Sequence, residues 1–332
     1  MKKIVPILLT CWIMVHQAWA QQEPMFTKYM FNSLMFNPAY AGSKDHLSAG
    51  LLHRTQWTGI QGAPTTQSMT VHSPLKNDRV GLGFSIVNDK IGPTSSLNLA
   101  LSYSYRINIG KGKLCIGLDG NLMNWRADWQ QLSLESGGDD AFSDLQPSYW
   151  LPNFGAGMYY YTKYFYAGFS SPNLIEYKLR KNDINTPIYA RQYRHFYGML
   201  GAAIPLRGDD LIFKPSILWK NAALSSAYNK EQVFQNIGAP NEFSADLSLL
   251  FYETFWVGSS FRSSVEKFSG NRSSFDAVSL WASYLLTNGF RVGAAYDYTI
   301  SNLSSVAGGS FELFLGYEAD FKTKKVVTPR YF

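Results

Sequence analysis

The chain has 332 residues, a net charge of +6, and equal 16% shares of aromatic and of charged residues. So modest a positive excess, without a Lys/Arg block, gives no reason to propose a nucleic-acid partner. The ring content exceeds what a water-soluble enzyme needs. After the first residues no stretch of about 18 apolar residues occurs, which excludes helical membrane spans.

Lys2 and Lys3 precede a mostly apolar run, Ile4 to Val15, and Ala18-Trp19-Ala20 fits the small-x-small cleavage rule. Residues 1–20 therefore read as an export signal, too short for a permanent bilayer span, with a mature start at Gln21. Leu9-Thr10-Cys11 faintly suggests a lipoprotein signal, but Thr10 is a poor residue before the cysteine. Cys11 leaves with the signal. Cys115 alone cannot form an intramolecular disulfide, so this is not a disulfide-stapled domain. An exported, aromatic-rich, weakly charged chain of this kind points to an all-β transmembrane antiparallel barrel in an outer membrane.

Residues 21–46 form a separate segment. Met25 to Phe36 reads as a short helix with Phe26, Met30 and Leu34 on one side. Pro38 stops it and pushes Asn37 to an extended form, so that residues 37–42 turn the chain into the first strand. Beside a barrel such an apolar segment plugs the lumen or caps the periplasmic mouth, with Tyr29, Phe31, Asn37, Pro38, Tyr40 and Gly42 as its candidate residues. A membrane-surface anchor is the alternative.

From residue 47 period-2 alternation takes over. Leu97, Leu99, Leu101, Tyr103, Tyr105 and Ile107 share one face, while Asn98, Ala100, Ser102, Ser104, Arg106 and Asn108 share the other. The rings gathered at one end resemble an interfacial girdle. Fourteen strands follow from this reading. They are 47–57, 66–73, 80–88, 97–108, 113–124, 152–161, 163–170, 193–204, 210–220, 241–251, 254–263, 275–286, 289–298 and 309–320. The count is even, as bacterial single-chain barrels require. Connections after even strands are short and those after odd strands longer, which is the rhythm of periplasmic turns and external loops. Both ends then lie in the periplasm, with 47–320 as barrel and 321–332 as a C-terminal tail. Pro215 inside the ninth strand implies a bulge or bend, or else a miscounted strand.

The same alternation names the lumen-facing residues. Ser48, Arg54 and Gln56 lie on the first strand, then Arg106 and Asp119, and later Asp246, Arg262, Arg291, Asp297 and Glu312. Charges of both signs read either as a paired network filling a narrow barrel or as a solute path. Gly and Ser elsewhere on this face leave volume for an occupant, and Cys115 is a small filler. There is no HExxH, CxxC pair, Walker loop or GxSxG elbow. The five histidines lack metal-ligand spacing, and Asp139, Asp140 and Asp144 lack that of an EF-hand. No enzyme activity, cofactor or metal is expected.

Gln22 to Ser43, QEPMFTKYMFNSLMFNPAYAGS, resembles the N-terminal signature of the PorP/SprF family of outer-membrane proteins. HRTQWTGIQGAPTT (53–66), VGLGFSIVNDKIGPT (80–94), PNFGAGMYYYTKYFYAGFS (152–170), and AYDYTISNLSS and GGSFELFLGY near the end are similar to further family blocks. The resemblance implies a type IX secretion component that docks, secretes or anchors a secreted surface protein bearing a type IX C-terminal domain. It also implies links to periplasmic and outer-membrane secretion components and to gliding machinery, within outer-membrane lipid. Client contacts fall to the loops 125–151, 171–192 and 221–240. The competing expectation is a passive channel or transporter for small hydrophobic or polar solutes.

Overall fold

The computed structural model describes residues 28–75, 78–131, 146–178, 191–192, 194–222, 241–264 and 275–319. Fourteen antiparallel strands close into a barrel. They are β1 (Leu47–Thr55), β2 (Thr65–Pro74), β3 (Val80–Ile91), β4 (Thr94–Ile109), β5 (Gly112–Ala127), β6 (Ser148–Tyr161) and β7 (Phe165–Ser171). These are followed by β8 (His195–Ala202 and Ile204–Arg207), β9 (Leu211–Ala222), β10 (Glu242–Phe251) and β11 (Phe255–Ser264). The last three are β12 (Phe275–Leu285), β13 (Phe290–Thr299) and β14 (Ser310–Ala319). Each strand pairs with its neighbours in sequence, and β1 closes the ring on β14 from Leu47↔Ala319 to Thr55↔Phe311. Closure removes every sheet edge, as a backbone in hydrocarbon demands.

The burial pattern is inverted relative to a water-soluble sheet. Leu101, Leu118, Leu247, Leu280 and Leu313 point outward and are each more than half exposed. The inner face holds the serines, asparagines and charges. Tyr103, Tyr105, Phe255, Tyr284 and Phe290 ring the end with the short turns, while Trp150, Tyr298 and Phe311 mark the end with the long loops. Apolar wall and aromatic girdles together match a bilayer-spanning barrel. No described helix is long and apolar enough to cross a membrane; this chain crosses with strands.

Three details depart from the sequence expectation. The β3–β4 connection is an external one, yet it contains only Gly92 and Pro93, because both strands extend beyond their apolar stretch. Hydrogen-bond ladders continue where the alternation fades, since the strands leave the bilayer before they stop pairing. Secondly, Pro215 does not bend β9, which stays in register with β10 through Pro215↔Leu247. The irregularity falls on the other neighbour, where β8 lapses at Ala203, just past the pair Gly201↔Ser216. A proline offers no amide hydrogen to a ladder. Thirdly, a small ribbon, Tyr177–Lys178 with Arg191–Gln192, stands in the connection after β7. The expected signal over 1–20, residues 21–27, most of the three long loops, Asp139, Asp140 and Asp144, and the tail 321–332 lie outside the described residues.

Candidate functional site

Three one-turn 3₁₀ elements, Tyr29–Phe31, Ser33–Met35 and Pro38–Tyr40, carry the chain from Lys28 to the start of β1. Over the described residues 28–36 of the expected Met25–Phe36 helix there is no α-helix. Asn32 breaks it with φ −137°, and its side-chain amide donates to Ser68 Oγ on β2 (2.9 Å). A helix buries one stripe, whereas this segment finds partners in several directions at once.

Its first part meets β9 to β14. Lys28 is buried; its Nζ donates to Ser260 Oγ (2.5 Å) and lies 3.7 Å from the Asp246 carboxylate, and its backbone N–H donates to Glu312 (3.1 Å). Phe31 stacks on Phe314 with centroids 4.6 Å apart and meets Trp256 and Trp281 edge-on at 5.0 and 5.5 Å. Tyr29 donates its hydroxyl to Ser216 (2.7 Å).

The second part meets β2 to β8 and is fitted at backbone level. Asn37 is fully buried and extended; its Oδ1 accepts from Ala39 N–H (2.9 Å) and its Nδ2 donates to the Met158 carbonyl on β6 (2.9 Å). Pro38 opens the next turn, where its missing donor costs nothing. Ser170 and Ser104 donate to the carbonyls of Phe36 and Ala41, each at 2.6 Å. Tyr40 stands edge-on to His72 and Tyr159 at 5.3 and 5.4 Å, and Phe36 edge-on to Tyr197 at 5.2 Å. A Cβ at Gly117 would collide with Ala39, one at Gly157 with Asn37, and one at Gly81 with the Ala41 carbonyl. Gly42 (φ +69°) leaves the seat with its N–H donated to His72 Nδ1 (3.2 Å); a side chain there would lie 2.8 Å from the Gly81 Cα.

The lumen charges sort into separate groups. Arg54 pairs with Asp297 (2.7 Å) and Glu312 (3.2 Å), and Arg262 joins through Asp276 (2.5 Å) and Asp297 (3.7 Å). With Lys28 and Asp246 beside it, this cluster lies on the β1 and β10–β14 side, and Gln56 is buried at its loop end. Arg106 is elsewhere and holds Asp45 (2.8 Å), which Lys113 also approaches at 3.5 Å. Arg291 sits at the turn end near Glu318 (4.0 Å), which also accepts from Lys44 (2.9 Å). Asp119 lies on the inner face of β5, apart from all of these groups. Cys115 is buried on the same face. A cavity of about 780 Å³ opens at the turn end, bordered by Phe31, Lys44, Lys214, Trp256, Arg291 and Glu318. Sequence reasoning missed Lys28, Glu318 and the glycine seat. Alternation marked Gly81, Gly117 and Gly157 as inward and small, but nothing in it said which backbone would come to rest on them.

The profile of the family described as type IX secretion system membrane protein PorP/SprF matches residues 18–317. The chain belongs to this family. It is therefore an outer-membrane component of type IX secretion, in keeping with its closed barrel and apolar belt. Similar solved structures include Omp33 of Acinetobacter baumannii, at 10% identity and a TM-score of 0.43, covering 82% of this chain and 98% of that one. CdiB from the same organism covers 82% and 60% at 6% identity and a TM-score of 0.44. The KdgM porin covers 82% and 99% at 8% identity and a TM-score of 0.36. Among curated proteins none matches. The PorP/SprF blocks quoted above fall on the N-terminal segment, on β1 to β3, and on the β6–β7 and β13–β14 hairpins.

Proposed function

We propose that this PorP/SprF barrel is a non-enzymatic docking component. It holds a secreted surface protein, bearing a type IX C-terminal domain, through the loops 125–151, 171–192 and 221–240. At its periplasmic end it links that client to secretion or gliding components, and the segment before β1 serves as its plug. The observation that supports this reading is the seating of Lys28–Gly42 against both walls of the lumen, by ion pair, ring contacts and main-chain hydrogen bonds. A lumen committed to its own chain leaves the rims and loops as the working surfaces. The test is co-purification from detergent with mass spectrometry, beside deletion of the gene. One or a few secreted proteins should co-elute, and the same proteins should stay cell-bound in the deletion strain. Normal surface delivery of every such protein would sink the idea.

The turn-end cavity favours a second reading, a passive channel for small solutes. Planar-bilayer recordings of the pure protein separate the two: steady conductance that added solutes block belongs to a channel, and silence to a plugged dock.

A further inference from the structure

Just above Gly117, towards the long loops, the inner face of β4 and β5 changes character. Asp119 and Asn121 follow on β5, with Ser102 opposite Asp119 and Ala100 opposite Asn121 on β4. The Oδ1 atoms of Asp119 and Asn121 are both buried, and neither has a hydrogen-bond partner. Asp119 and Asn121 are only 9% and 8% exposed. Asn121 turns its Nδ2 to the Pro172 carbonyl (2.8 Å), in the connection after β7. A Cβ on Gly155 would strike both Asp119 Oδ1 and that Pro172 oxygen, so carboxylate and carbonyl converge over the same glycine. The backbone around Pro172 is already tied to the wall. Asn153 donates to the Ile175 carbonyl and accepts its N–H, both at 2.8 Å, and Leu174 N–H donates to the Phe154 carbonyl (2.8 Å).

A buried carboxylate whose neighbours are the neutral Asn121 amide, the Gly155 backbone and the Pro172 carbonyl, with no cationic side chain paired to it among the described residues, offers a place for positive charge from elsewhere. The donor set narrows the ligand. Calcium takes six to eight oxygens and magnesium a strict octahedron, usually with more carboxylate charge than one aspartate supplies. A singly charged ion is neutralised by one carboxylate, with carbonyl-type oxygens and water completing its shell. We propose that Asp119, Asn121 and the Pro172 carbonyl bind one monovalent cation, an alkali ion or a primary ammonium group. Bound there, it fastens the root of the external loop after β7 to the lumen wall. The site thus couples the lumen to a surface where loops meet the outside.

The test uses the full-length mature barrel in detergent at constant ionic strength, with choline chloride as the background salt, because choline is too bulky for the site. Sodium, potassium and methylammonium chloride replace it in turn, and hydrogen exchange is followed in peptides covering 172–178. At about ten times its dissociation constant, the preferred cation should slow exchange there about tenfold, with the peptides of β10–β12 unmoved. Asp119→Asn, isosteric and uncharged, should lose the effect, and Asn121→Ala should shift it to higher concentration. A response to sodium or potassium identifies an alkali ion; a response to methylammonium alone identifies an ammonium ligand. Equal exchange in all four salts overturns the proposal without any variant having to fold. So does an effect that survives Asp119→Asn, or one produced by calcium and by none of the monovalent ions.

Discussion

The two halves of the lumen hold the N-terminal segment by different physics. Against β9–β14, Lys28 and Phe31 are gripped by charge and by rings, namely Asp246, Glu312, Phe314 and the two indoles of Trp256 and Trp281. Against β2–β8, Asn37 to Gly42 rest on glycines and serines that touch main chain. The first grip depends on side-chain identity. The second adds to the Tyr40 ring contacts a dependence on the absence of side chains at the glycines, so it reads the path of the backbone. A segment held in both ways has one register in the lumen, because neither grip survives a slip of one residue.

The largest test removes the segment. Deleting residues 21–40 behind an intact signal should turn silent bilayers into conducting ones, and it should abolish co-purification of partners. A variant unchanged in both assays would show that the segment neither seals nor docks.

Next comes the charged half. Arg54→Ala leaves Asp297 and Glu312 buried without their shared cation and should cost about 3–5 kcal/mol, read as a lower unfolding temperature in detergent. An unfolding temperature within error of wild type would mean that the cluster is solvated rather than paired. Phe31→Ala should cost about 3 kcal/mol, the low end for a large ring truncated in a packed site.

The glycine half should respond to added bulk more than to lost bulk. Gly117→Leu is expected to evict Ala39 and Pro38, exposing the segment to limited proteolysis while the strands keep their circular-dichroism signal. Protection equal to wild type would locate the segment's hold entirely on the other wall. The smallest effect belongs to Asn37→Ala, about 1–2 kcal/mol for one lost cap and one lost bond to Met158, measured by the same thermal unfolding.

Much of this architecture was legible in the chain. The alternation of Leu97 to Ile107 set strand, face and lipid belt together, and all ten lumen residues from Ser48 to Glu312 do face inward. The ends of β3, β4 and β5 were not legible, since polar residues outside the bilayer keep pairing without an apolar signature. The segment before β1 misled in a more instructive way. Its apolar spacing suggested a helix with one greasy side, but Phe31 packs on β11, β12 and β14 while Leu34 lies against Gly83 on β3.

By itself the sequence determined an exported, fourteen-strand barrel, because a two-residue period and a lipid solvent leave the backbone no other closed solution. It also determined which side chains point inward. Only the tertiary structure decided which of them meet: Arg54 with Asp297 and Glu312, Arg106 with Asp45, and Asp119 with no cation among the described residues. Partners across a lumen are set by strand register and by the chain that fills it, and no local pattern encodes a distance across a barrel.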